Sequence, residues 1–149
     1  MTNCSNNLFL RQRAIVVSIY LDYLLAVLSC VNSMSVTKLL ILMFLSKSIE
    51  SHGSELLNGR YSKHLIERAT CAVSGSYESF LYELQYSVEA IEIAGDGGFI
   101  AIEGALACLT NEGRAQNCRT NNPFIPKLIN EVASLDDKYV LSEMRSEER

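Results

Sequence analysis

The chain has 149 residues, 48 % hydrophobic and 20 % charged, with 2 prolines and 8 glycines. That composition builds one buried core and excludes a disordered chain, a collagen-like repeat and a many-turned all-β architecture. With a net charge of -4 the chain as a whole is no free-standing duplex binder. The charge is uneven: residues 1–75 carry seven basic and four acidic side chains, a balance of +3, whereas residues 76–149 carry six and thirteen, a balance of -7. The acidic second half serves solubility or a cationic partner surface.

Residues 1–10 are polar and are expected to be loose. Arg11 to Cys30 reads as a long helix, because Ser18, Asp22 and Ser29 form one narrow polar stripe at spacings of 4 and 7. Arg11 and Arg13 followed by the apolar run Ala14–Val31 would also suit a membrane anchor. Asp22 near the middle is costly in lipid. The run is therefore expected to be a buried helix of a soluble, cytoplasmic protein with no membrane partner.

Ser35 can cap a second helix, Thr37 to Ser48. Residues 49–61 are polar and broken by Gly53 and Gly59. Tyr61 to Val73 reads as an amphipathic helix, with Leu65, Ile66 and Ala69 inside and Lys63, Glu67 and Arg68 outside. Ser76 can cap a helix from Tyr77 to Val88 that places Phe80, Leu81, Leu84 and Val88 at helical spacing.

The pattern then changes. Ile91-Glu92-Ile93 alternates, Gly95-Asp96-Gly97-Gly98 favours a tight turn, and Phe99 to Ile102 is β-prone. Together these predict a hairpin over residues 91–102 with the glycines at its tip. Leu106 to Leu109 adds a short edge or a turn. Thr110 to Arg114 opens a new segment. Asn121-Asn122-Pro123 marks a boundary, and Pro126 suits a first helical turn. Lys127 to Arg145 reads as an amphipathic helix with Leu128, Val132, Leu135 and Tyr139 on one stripe, and Asp136-Asp137 as the point of interruption.

The expected fold is mainly α with a small β-hairpin. Residues 1–114 form a winged-helix-like core, and residues 115–149 a C-terminal helical extension of the same domain.

The pattern offers no centre for chemistry. The five cysteines (Cys4, Cys30, Cys71, Cys108, Cys118) are widely spaced, and only His52 and His64 could join them at a metal. All five are expected free and reduced, with Cys30, Cys71 and Cys108 buried as small hydrophobes. Cys71 and His64 lie seven apart on one predicted helix, where core and rim positions account for them. Gly95–Gly98 lacks the Lys-Ser/Thr of a phosphate loop, and Asp96 lacks the spaced oxygens of a calcium loop. Glu89, Glu92 and Glu103 are expected to face water. No catalytic residue, metal or cofactor is expected.

The order of helices, hairpin and Leu109-Thr110-Asn111-Glu112-Gly113-Arg114 resembles a winged helix-turn-helix domain over residues 14–114, with Ser35-Val36-Thr37-Lys38-Leu39-Leu40 opening one of its helices. A helix running through Asp96 would sink the winged-helix reading altogether. The resemblance implies a recognition helix at Tyr61–Val73, with Arg60, Lys63, His64 and Arg68 as candidate nucleic-acid contacts. The predicted wing carries Glu92, Asp96 and Glu103 and would repel phosphate, which favours protein contacts.

The chain also resembles the small middle components of bacterial three-component ABC-ATPase systems, including the Lamassu type of anti-phage and anti-plasmid defence. The residues concerned are Ile15 to Cys30, Lys38-Leu39-Leu40, the hairpin, and Asn122-Pro123-Phe124 to Met144. This resemblance implies a non-catalytic adaptor between an SMC-like, Rad50-like ATPase and an effector such as a nuclease, with DNA contacted through the complex. The competing reading is a winged-helix transcriptional regulator. Because the stripe Leu128, Val132, Leu135 and Tyr139 follows the completed pattern, it is the expected partner surface, with Tyr20, Tyr23 and Val27 on the first helix as the second candidate.

Overall fold

The computed structural model describes residues 2–50, 65–72 and 76–145. The elements run α1 (Thr2–Val31), β1 (Ser33–Ser35), α2 (Val36–Ile49), α3 (Leu65–Ala72), α4 (Ser76–Asp96), β2 (Ile100–Glu103), β3 (Leu106–Leu109), α5 (Asn111–Ala115), α6 (Phe124–Ala133) and α7 (Asp137–Arg145). The fold is mainly helical with one small antiparallel sheet in the order β1-β3-β2, as the composition and periodicity imply.

α2 is the centre of the molecule. Its run Val36–Leu45 is apolar almost all round, and Leu39 and Ile41 to Leu45 are buried. Such a helix has to be packed on several sides, and α1, α3, α4, α6 and α7 all contact it. Ser35 caps it as expected, accepting from the Lys38 N–H at 3.2 Å. The same hydroxyl donates to Asp137 Oδ1 at 2.8 Å, and Lys38 Nζ donates to the Ala133 carbonyl at 3.2 Å. The start of α2 is thereby tied to the junction of α6 and α7.

α1 covers more than the predicted helix. Residues 2–10, expected to be loose, continue it by more than two turns. Its polar stripe behaves as read: Ser18, Asp22 and Ser29 are exposed. Asn32 ends it in the left-handed region at φ 69°, a conformation Asn tolerates, and turns the chain into β1.

The largest correction concerns the hairpin. Ile91-Glu92-Ile93 lies inside α4, which runs through Asp96, so no hairpin tip forms at Gly95–Gly98. Three alternating residues are outweighed by a helical series of small groups, Ser87, Ala90 and Ala94, all buried against neighbouring helices. The glycines do supply positive φ, but as a helix stop. Gly98 sits at φ 80°, its N–H reaches the Gly95 carbonyl at 3.2 Å, and the Phe99 N–H reaches the Ala94 carbonyl at 2.9 Å. This is the Schellman arrangement that closes a helix C-terminus.

The hairpin forms a few residues later. β2 and β3 pair around Gly104-Ala105, with Glu103 opposite Leu106 and Gly104 at φ 62°. Leu106–Leu109, read as an edge or turn, is the middle strand, because β1 adds to its other side through Met34 opposite Ala107. The segment Leu109–Arg114 stitches this sheet to the helices. Thr110 caps α5 through the Gly113 N–H at 3.1 Å and donates to the Gly98 carbonyl at 2.6 Å. Arg114 reaches Asn32 Oδ1 at 2.6 Å.

The predicted C-terminal helix is two helices, broken at Ser134–Asp136 next to the acidic pair. The expected recognition helix, Tyr61–Val73, is described only at Leu65–Ala72, where Ile66 and Ala69 are buried and Leu65 half-buried, on the inside as predicted.

Candidate interaction surface

The expected partner stripe is core. Leu128 and Val132 are fully buried, because α6 fills the space bounded by α1, α2 and α3. Leu135 and Tyr139 are half-buried against the same cluster. The second candidate fares the same way. Tyr20 and Val27 are fully buried, Tyr20 lying under Lys47 Nζ at 5.2 Å from its ring centre, and Tyr23 is half-buried. Apart from Ile19, the large apolar side chains of α1 beyond Val17 are thus buried or half-buried inside this chain.

Of the candidate nucleic-acid residues, only Arg68 falls among the described residues. Arg60, Lys63 and His64 lie outside the described residues, and Arg68 is half-buried on α3, which packs against α6 and α7. Cys71's side chain is likewise outside the description. Cys30, Cys108 and Cys118 are free thiols. Cys30, expected buried, is exposed, since it points away from the core and only donates weakly to the Ala26 carbonyl at 3.5 Å. Cys108 is half-buried.

Two adjoining clefts of about 440 and 410 Å³ separate the outward side of α1 from the loop 116–121, sharing Ala26, Asn117, Cys118 and Arg119. Asp22, Tyr23 and Glu50 line the first, and Cys30 and Arg114 the second. Burial pushes the Tyr23 phenol up, and the Glu50 and Asp22 carboxylates add to it. Burial also raises both cleft thiols, with Asp22 reinforcing the effect at Cys118. Raised thiols are poor nucleophiles at neutral pH. Among the described residues, no three His, Cys, Asp or Glu side chains gather as a metal site would need.

The surface with the clearest recognition chemistry is the outward side of α4, which the sequence reading missed. Of the four residues read at helical spacing, Phe80 is buried and Leu84 half-buried, but Leu81 and Val88 are exposed. Glu78, Leu81, Tyr82 and Gln85 fall at i, i+3, i+4 and i+7, so they share one face, and all four are exposed. Leu81 and Tyr82 retain 47 % and 67 % of their accessible surface. α4 also carries Glu83, Glu89, Glu92 and Asp96 and has neither Lys nor Arg. The missed signal was the phase of the small residues. Ser87, Ala90 and Ala94 mark the buried side, which turns Leu81 and Val88 outward.

Arg13 of α1 lies across this helix. Its guanidinium meets Glu89 at 2.7 Å, Gln85 at 3.3 Å, and the Tyr86 ring at 5.4 Å from the centre. Above it, Leu8, Phe9, Leu10, Ile15 and Ile19 of α1 are exposed. By length and composition alone, Asn6–Val31 could cross a membrane, yet Val17, Tyr20 and Leu24 to Leu28 are buried by neighbouring elements. No family model, curated protein or solved structure matches this chain.

Proposed function

We propose that this chain is a non-catalytic cytoplasmic adaptor subunit, linking an SMC-like, Rad50-like ABC ATPase to an effector nuclease in bacterial anti-phage or anti-plasmid defence. The observation that carries the adaptor role is the exposed face Glu78, Leu81, Tyr82 and Gln85 on an all-acidic helix. Leu and Tyr anchors at helical spacing, framed by carboxylates, suit docking against a basic protein groove. The class of partner comes from the resemblance to Lamassu-type middle components.

The transcriptional-regulator alternative has less support. The hairpin expected at residues 91–102 is replaced by the end of α4, a helix running through Asp96. The helix that now leads into the hairpin is α4 itself. A helix with five carboxylates and no cation, placed where a reading helix would stand, repels the phosphate backbone.

The test is co-purification of the tagged chain with a coiled-coil ATPase and a nuclease encoded beside it. The wild-type chain is expected to recover both. Leu81→Glu with Tyr82→Glu, at exposed positions, is expected to abolish recovery with little change in melting temperature. Duplex DNA is expected to bind negligibly at about 150 mM salt. A tight DNA complex without ATPase recovery would overturn the adaptor reading in favour of the regulator.

A further inference from the structure

We propose that two copies of this chain associate about a two-fold axis, the first turns of α1 from each copy docking on the C-terminal half of α4 of the other. Every residue from Asn6 to Gln12 is exposed. Leu8, Phe9 and Leu10 follow one another at about 100° steps, so they point in three directions around the helix. These turns continue the packed helix but gain nothing from this chain's own core, so cover on their apolar side would stabilise them.

The placement of apolar surface names the acceptor. Of the large exposed hydrophobics among the described residues, Leu8, Phe9, Leu10, Ile15 and Ile19 lie on α1 and Leu81, Tyr82, Val88 and Ile93 on α4. Only Ile102 and Leu106 lie elsewhere. The two helices that pack on one another therefore also carry most of the uncovered surface.

Charge selects a second copy over a lipid. Before Asp22, α1 has two cations, Arg11 and Arg13, and no acid, whereas α4 has five acids and no cation. Within one chain only Arg13 is used, on Glu89 and Tyr86. Arg11, Glu92 and Asp96 make no ion pair with the described residues. A partner copy supplies what each lacks: its Arg11 for Glu92 and Asp96, its Phe9 and Leu10 for Val88 and Ile93. The patch is self-complementary, which is what a closed isologous dimer requires. Arg13 marks where the overhang leaves the body, beside Gln85 and Glu89, so the exchange requires no refolding.

This goes beyond the adaptor reading and is measured on the isolated full-length chain. Sedimentation velocity is expected to show a dimer whose dissociation constant rises at least about tenfold in Phe9→Glu with Leu10→Glu. Arg11→Glu and Glu92→Arg are each expected to weaken it, and their combination to restore it. All four positions are exposed, and circular dichroism confirms that each variant is folded. A monomer at about 100 μM, a dimer indifferent to Phe9→Glu with Leu10→Glu, or a charge swap that restores nothing overturns the proposal. So does a monomer that floats with phosphatidylcholine–phosphatidylglycerol vesicles, since lipid then covers the overhang. Co-purification of the ATPase depends on Leu81 and Tyr82 at the other end of α4, so the two readings can fail separately.

Discussion

Asn122 is buried in the turn that leads into α6, and its amide serves two elements at once. Its Nδ2 donates to the Ile49 carbonyl at 3.2 Å, at the end of α2, while its Oδ1 accepts from the Phe124 N–H at 2.9 Å. Asn122→Ala leaves a buried carbonyl and a buried helix-start amide without these partners, an expected cost of about 1–2 kcal/mol. Thermal melting is expected to fall by several degrees, with the far-UV spectrum retained. Lys47 and Glu83 make a second such point, 3.2 Å apart between α2 and α4. Burial lowers the Lys47 amine and raises the Glu83 carboxyl. Glu83, holding its proton more tightly in the fold, contributes stability that is fully present below its unfolded pKa and lost as pH rises through the raised value. Lys47, releasing its proton more readily in the fold, adds stability as pH rises through its lowered value. Between those two windows the pair contributes least. Lys47→Met alone strands a half-buried carboxylate and is expected to cost about 1–2 kcal/mol, whereas Lys47→Met with Glu83→Leu recovers most of it. Denaturant midpoints across pH check both statements, and the double variant is expected to flatten the dependence.

At the scale of elements, two glycines of similar appearance in sequence do different work. Gly98 lies at φ 80° with open space around it, so Gly98→Ala meets only backbone strain, about 1 kcal/mol. Gly113 is buried where α5 passes the end of β2, and a Cβ there would run into the Phe99 carbonyl and Leu109 Cδ1. Gly113→Ala is expected to cost more than about 2 kcal/mol and to loosen the sheet, which amide exchange at Leu109 would report. The motif Leu-Thr-x-x-Gly-Arg was legible as a boundary, but its purpose is close packing of a strand end on a short helix. Caps were the most readable signals: Ser35, the turn at Asn122-Pro123 and the break near Asp136 all fall where local chemistry puts them. The end of α4 was not readable, because its buried side is made of Ser87, Ala90 and Ala94. Residues so small barely register in a hydrophobic pattern, while Ile91 and Ile93, one half-buried and one exposed, imitate a strand. The face Glu78–Gln85 was hidden by the same error of phase.

For the whole molecule, the decisive question is whether residues after Arg119 complete the core or only decorate it. Reading the helix–hairpin pattern as finished by residue 114 makes the terminal stripe look spare. The packing says otherwise. Phe124, Ile125, Leu128, Ile129, Val132, Val140 and Met144 are all fully buried in the one cluster that holds α1 and α2. At about 1.5–3 kcal/mol for each such side chain, their burial exceeds about 10 kcal/mol, comparable with the whole net stability of a small domain. Val132→Asp would set a carboxylate in that interior without a cation and is expected to abolish the cooperative melt. Leu135→Asp, half-buried beside it, is expected only to lower the midpoint. A chain ending at Arg119 uncovers α2 along the side that α6 and α7 occupy, and is expected to be insoluble or to melt without a transition. Calorimetry on the three variants separates the cases. A truncated chain that still unfolds cooperatively would make residues 120–145 a detachable arm, and would return Leu128 and Val132 to the surface at which a partner binds.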